Sequence, residues 1–297
     1  MLPEESEELI QRLQNTSNFR VLRKLSCPRE YNRSNGAETK IAVYLDLETT
    51  GLNFHNAEII EIGLVPFRYS SDGKIFEVLE AYNGLQQPKA GSIPEETTRI
   101  TGITNEMVRD QSIDTDKVSR IVSAASLIIA HNANFDRKFA ETEFEIFSSK
   151  AWACSMSQIP WREEGLEGAK LEYLAMKHGF FYDAHRATTD CYAGLELLSR
   201  HLPKSNRPTF GVLLDEARKN TKRIWAERAP FDLKDVLKDR GYRWNDGNDG
   251  RPKAWYIDVI DSEFKDEISF LSKEIYMREV DLPVTTITAM ERFSSRV

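Results

Sequence analysis

Two acidic residues stand where a buried strand is expected. The stretch IAVYLDLETTGL, Ile41–Leu52, opens on an apolar run, places Asp46 and Glu48 two apart, and then turns polar at Thr49–Gly51. Alternate side chains of a strand share a face, so these two carboxylates point the same way, opposite Val43, Leu45 and Leu47. Unpaired carboxylates in a buried sheet are strongly unfavourable, and a cation seated between them relieves that penalty. A D-x-E alone also suits an edge strand with one wet face.

A second acid lies in HNANFDRKF. There a short apolar run, Leu127–Ala130, ends in polar residues, and a helix follows that carries Asp136. Phe135 and Phe139 are four apart and share one helix face. Asp136 equally suits a helix first turn, where a negative charge is favourable. The third segment is AHRATTDCYAGLELLSRHL. Inside one helix, His185 and Asp190 would face directions roughly 140° apart. His185 is therefore expected in the loop before the helix, able to swing toward a site that Asp190 holds from the first turns. A lone histidine also fills hydrogen-bonded structural roles.

These segments need a scaffold. Residues 4–25 read as amphipathic helix, with Leu9, Ile10, Leu13, Val21, Leu22 and Leu25 as apolar positions. Strand-like runs follow at 41–48, 58–67 and 75–82. A helix near 116–125, the buried run SLIIA, a helix from about 134, and helices at 168–178 and 187–201 come next. Strands first, then helices alternating with strands, predict an α/β layer structure. The stretch LPKSNRP, with two prolines, marks a domain boundary. Beyond it the pattern predicts helices at 209–223, 232–239 and 262–276, a hairpin around NDGNDG and a last strand near 284–289.

The segments DLETTG, HNANFD and HRATTD, in this order, resemble the DnaQ-like 3′–5′ exonucleases with the DEDDh signature. The resemblance covers residues 38–202 and includes the IIEIG strand and the run SIPEETTRITGIT. It implies an RNase H-like fold, a central mixed five-stranded sheet flanked by helices, with a small α+β domain appended. It also implies that Asp46, Glu48, Asp136 and Asp190 hold two metal ions and that His185 takes the proton from the attacking water. The products would be nucleoside 5′-monophosphates released from a 3′ end. Four carboxylates with no cysteine ligand make a hard oxygen site suited to Mg²⁺ or Mn²⁺. Two such ions stabilise both oxygens of an in-line displacement, and an imidazole supplies a base near neutral pH. In the family, the segment after the first strand touches the terminal nucleotide, so Thr49, Leu52 and Phe135 are candidate substrate contacts; core roles for Leu52 and Phe135 stay open. Glu61 faces inward by strand alternation, either orienting site waters or pairing with a cation. Where many members carry an Asp-Thr pair, this chain has Cys154 and Ser155, which leaves catalysis intact and bears on substrate choice.

The domain organisation expected is a helical extension (1–37), the exonuclease domain (38–205), a linker helix (206–224) and a small α+β domain (225–297). The 297 residues carry a formal charge of −7, which repels polyanions unless metal ions or basic patches reverse the field. From residue 206 onward, 17 basic and 17 acidic residues balance, so that charge rests on residues 1–205. The hairpin mixes Trp244, Trp255 and Tyr256 with Arg243, Arg251 and Lys253, a combination that stacks bases and neutralises phosphates or, for the tryptophans, builds a small core. Three dispersed cysteines suit a reducing cytosol, and no run reaches the ~18 apolar residues of a membrane span. The expected partners are 3′ ends of single-stranded DNA or RNA, in the cytoplasm and away from membranes. A homodimer, docking as a proofreading subunit on a polymerase, and a place in an antiviral defence complex stay open.

Overall fold

The computed structural model describes residues 3–34 and 36–297. Two compact units divide the chain, Met1–Leu214 and Asp215–Val297. Among the described residues, the first unit runs α1 (Pro3–Gln14), β1 (Arg23–Lys24), β2 (Thr39–Thr49), β3 (Ile59–Ser70), β4 (Ile75–Val78), β5 (Tyr82–Leu85), α2 (Glu95–Thr101), α3 (Asn105–Val108), α4 (Thr115–Ala124) and β6 (Leu127–Ala130). It continues with α5 (Ala133–Glu143), β7 (Trp152–Cys154), α6 (Leu171–Lys177), β8 (Phe180–Phe181), α7 (Ala187–Ser199) and the start of α8 (Thr209–Arg218).

Five strands lie in the order β4-β3-β2-β6-β7, and a sixth, β5, pairs with β3 beyond β4. The sheet is mixed: β2 runs antiparallel to β3 and parallel to β6, and β6 is parallel to β7. The expected five-stranded mixed sheet is present with this short addition. The predicted run 75–82 breaks after Val78 and re-enters the sheet as β5, which explains the extra strand. The central strands are apolar almost throughout because both faces are covered, and Ala42, Val43, Leu45, Ile62, Leu64 and Val65 are fully buried.

The first helix stops at Gln14, short of the expected Leu25. Arg23 and Leu25 instead donate their backbone N–H groups to Gly179 and Phe181, so β1 pairs in parallel with β8. Pairing with a distant strand overrides the local helical pattern there.

At the C-terminal end the division between units falls inside α8, nine residues beyond the expected boundary at 205/206. Phe210 on its first turn packs edge-on against Phe67 (5.5 Å) and Tyr69 (5.1 Å) of β3. The helix ends at Arg218, and residues 221–224, expected as the end of the linker helix, belong instead to strand β9 (Thr221–Ala226). The second unit adds α9 (Lys234–Asp239), β10 (Arg243–Trp244), β11 (Trp255–Ile260), α10 (Phe264–Phe270) and β12 (Val284–Ile287), with sheet order β10-β11-β9-β12. The alternation in TKRIWA drives this: Ile224 and Ala226 enter a core with Leu237, Tyr242, Val259, Leu271 and Ile275. Trp255 packs against that core, whereas Trp244 keeps half its surface exposed. On the other face, Asp258 binds Arg223 through two bonds (2.7 and 2.8 Å) and Arg243 through one (3.1 Å), and both guanidiniums lie over Tyr256. No helix among the described residues is long and apolar enough to cross a membrane.

Close contact between α7 and β2 depends on Gly194. A Cβ there would lie 2.1 Å from the Tyr44 ring, which is fixed by a 2.8 Å bond from its hydroxyl to Ser155. Gly194→Ala should therefore destabilise the protein by about 1–3 kcal/mol in urea unfolding. An unchanged midpoint would mean the Tyr44 ring is free to move aside.

Candidate active site

Three elements deliver the acidic groups. Strand β2 carries Asp46 and Glu48, which share the expected face and are half-buried. Immediately after Glu48 the β2–β3 register shifts, skipping Ile60 in a bulge beside the acids before pairing resumes at Thr49 and Ile59. Helix α5 starts directly after β6 and holds Asp136 in its first turn, 3 % exposed. Helix α7 holds Asp190 in its first turn, 9 % exposed, and its carboxylate reaches back to accept the Arg186 backbone N–H at 3.1 Å. That bond satisfies one of the donors a helix start leaves open.

Glycine decides how near α7 comes. Gly63 pairs with Asp46 across the β2–β3 ladder, and a Cβ on it would lie 2.5 Å from the backbone carbon of Ala187. With no side chain at 63, the start of α7 rests on the sheet and brings Asp190 and the preceding loop to Asp46.

The result is a pocket of about 220 Å³ whose lining includes Asp46, Glu48, Asp136, His185, Asp190 and Phe135. Oxygens of Asp46, Glu48 and Asp190 lie within 4.8 Å of one another. His185 sits in the loop before α7, as its spacing from Asp190 requires, in a left-handed conformation (φ 65°). Phe135 is half-buried and packs on Phe139 at 4.9 Å, and Phe139 meets Phe54 edge-on at 6.4 Å. Leu52 is 87 % exposed, which excludes a core role. Thr49 donates its hydroxyl to the Gly51 carbonyl at 2.6 Å, tying down the turn. Neither Leu52 nor Thr49 lines the pocket.

The acids disturb one another. Burial pushes Glu48 up to about 8, with repulsion from Asp190 and Glu61 adding and the Arg186 charge opposing. Burial likewise raises Asp136 to about 8, against the pull of its own backbone N–H and that of Leu47. Asp46 is pushed well above the carboxylate range by burial and then by Asp136, Asp190 and Glu48. Asp190 is raised by burial, with the Tyr182 hydroxyl (3.1 Å) and the Arg186 N–H moderating the shift. Uncompensated negative charge and an all-oxygen donor set fit hard divalent cations. The four carboxylates would hold the ions, and the ions would supply the positive charge that the pocket lacks.

Several residues here went unnoticed in sequence. His131 and Asn132 line the pocket from the end of β6, and Leu171 from the start of α6. The first two were legible as the opening of the HNANFD motif; Leu171 carries no sequence signal. Burial lowers the His131 pKa to about 4, so the ring is neutral, and Nε2–H donates to the Ala169 carbonyl at 2.6 Å. Nδ1 then accepts from the Ser155 hydroxyl (2.9 Å), which accepts from Tyr44 (2.8 Å). Ser155 thus lies one hydrogen bond behind the pocket wall, while Cys154 is buried and donates to the His131 carbonyl. Glu61, left between two roles, pairs with a cation: its carboxylate accepts from Arg186 at 2.9 Å.

Together the mixed sheet and the carboxylate pocket define a DnaQ-like exonuclease domain of RNase H-like fold. Residues 43–198 match the exonuclease family RNase_T, and the chain belongs to that family. It is 30% identical over 172 residues to the PolC-type DNA polymerase III of Caldanaerobacter subterraneus subsp. tengcongensis, covering 54% of this chain and 12% of that protein. It is 29% identical over 195 residues to the DNA polymerase III subunit epsilon of Treponema pallidum, covering 58% of this chain and 86% of the subunit. Among solved structures, E. coli exonuclease I in complex with a 5cy-dT13 oligonucleotide is similar with a TM-score of 0.48 and 15% identity, over 75% of this chain and 64% of that one. The chain thus spans only a small part of the PolC-type polymerases it matches.

The raised carboxylates have a consequence for stability. Without divalent ions they bind protons in the folded state that the unfolded chain releases. Their contribution to stability is full below about pH 4 and is lost as the pH rises through about 8. Relative to metal-free protein in EDTA, protein in Mg²⁺ without chelator should therefore gain more melting temperature at pH 8.5 than at pH 6. An equal gain at both would contradict the clustering.

Proposed function

We propose that this chain hydrolyses nucleic acid from the 3′ end, releasing nucleoside 5′-monophosphates, with single-stranded DNA as the first substrate and RNA as the second. The observation that carries the reading is the gathering of Asp46, Glu48, Asp136, Asp190 and His185 around one pocket. Asp46, Glu48, Asp136 and Asp190 would hold two Mg²⁺ or Mn²⁺ ions, which would supply positive charge to stabilise the attacking and leaving oxygens. His185 takes the proton from the attacking water as general base. Phe135, half-buried on the pocket wall, offers a ring to the terminal nucleotide, and Leu52 and Thr49 form the adjoining turn. A single strand suits a narrow pocket because a paired terminal nucleotide must first leave its partner. The polymerase III relatives support DNA over RNA, and cytosolic nucleic acid is the pool we assign.

A second reading makes the chain a proofreading subunit that docks on a polymerase. The similarity over 86% of the Treponema epsilon subunit favours it. Co-purification with a polymerase would support this reading, and full activity of the isolated chain would weigh against a need for docking.

A time course on 5′-labelled single-stranded DNA, duplex DNA and RNA tests both polarity and sugar preference. The expected result is a ladder shortening from the 3′ end with Mg²⁺ or Mn²⁺, and none with EDTA. Asp46→Ala should abolish it, and His185→Ala should lower kcat about 10²–10⁴-fold. Full activity of Asp46→Ala protein in EDTA would reject the assignment.

A further inference from the structure

Next to the pocket lies an ionic cluster to which the chemistry assigns no task. Glu61 faces Glu48 across the β2–β3 ladder and is fully buried. Its carboxylate accepts from Arg186 Nη2 (2.9 Å) and Nε (3.2 Å), from the Ala187 backbone N–H (3.0 Å) and from Asn83 Nδ2 (3.0 Å). The Asn83 side-chain carbonyl in turn accepts from the Thr188 hydroxyl. A carboxylate so thoroughly matched, bonded to a guanidinium fork, forms a rigid anchor.

What the anchor holds is the chain just after His185. Residues 186, 187 and 188 are each tied to β3 or β5 through Glu61 or Asn83, and the Arg186 N–H is tied to Asp190. His185 itself has φ 65°, a conformation that residues other than glycine keep only when their surroundings impose it. The backbone torsions at 185 set the direction in which its Cβ leaves the loop, so whatever imposes this φ also limits where the ring reaches in the pocket.

We infer that Glu61 and Arg186 form a positioning pair that sets the orientation of His185, without touching the reacting atoms. This goes beyond the assignment of His185 as base and rests on it.

A double-mutant cycle tests the inference. Steady-state kinetics on a single-stranded oligonucleotide with Mg²⁺ are measured for the wild type, His185→Ala, Arg186→Met and the double variant, with melting curves for each. Arg186→Met should lower kcat about tenfold or more with KM nearly unchanged, since small misplacements of a catalytic group have large effects. In the His185→Ala background the same change should have almost no further effect, and Arg186→Lys should recover only part of the loss because it lacks the fork. If Arg186→Met melts below the assay temperature, Glu61→Gln/Arg186→Met, which leaves no unpaired buried charge, takes its place. Losses that multiply in the double variant, or a raised KM at unchanged kcat, would overturn the pairing and point to a substrate contact by Arg186. A His185→Ala protein as active as wild type would instead remove the base assignment, and the inference with it.

Discussion

Like charges crowded into one pocket are the constraint on which this domain is built. Four carboxylates from three elements converge where the sheet meets two helix starts, and burial drives each one above its ordinary range. Left alone, such a cluster opposes folding. The fold tolerates it because the acids sit at the rim of a sheet whose interior is apolar apart from the ion-paired Glu61, and because backbone N–H groups, including that of Arg186, and the Tyr182 hydroxyl each remove part of the penalty. The remaining charge is a standing demand for cations, which ties stability and the proposed chemistry to the same groups.

Close packing makes that convergence geometric rather than approximate. Gly63 opposite Asp46 lets the first residue of α7 rest against β3, and Gly194, about two turns further along the helix, accommodates the Tyr44 ring. Tyr44 then reaches Ser155, and Ser155 fixes the ring of His131 on the pocket wall. A methyl group at either glycine would push α7 away from the sheet and carry Asp190 and His185 with it. The bulge after Glu48 breaks the regular β2–β3 register in the same region.

The second unit balances its charges internally. Arg223 and Arg243 share Asp258, and Arg251 pairs with Asp249 at 3.5 Å. Much of the basic field that the hairpin composition suggests is thereby spent within the unit. Trp244 and Lys253 remain exposed on the hairpin, and Trp255 serves the core.

The acidic residues, their order and the strand or helix that bears each one were legible in the sequence, because period-two alternation and helix-start signals are local. Asp46 and Glu48 sharing a face, Asp136 in a first turn and His185 in a loop ahead of Asp190 all follow from spacing alone. Long-range pairing was not legible: β1 forms on β8 against the helical pattern of residues 21–25, and TKRIWA becomes a central strand although its first four residues were expected in the linker helix. The partner of Glu61 also lay 125 residues away, beyond any local signal. Sequence determined which groups bring charge and on what local geometry, since backbone periodicity fixes that residue by residue. Only the tertiary structure decided how near they come, because distance depends on which side chains are absent between two packed elements.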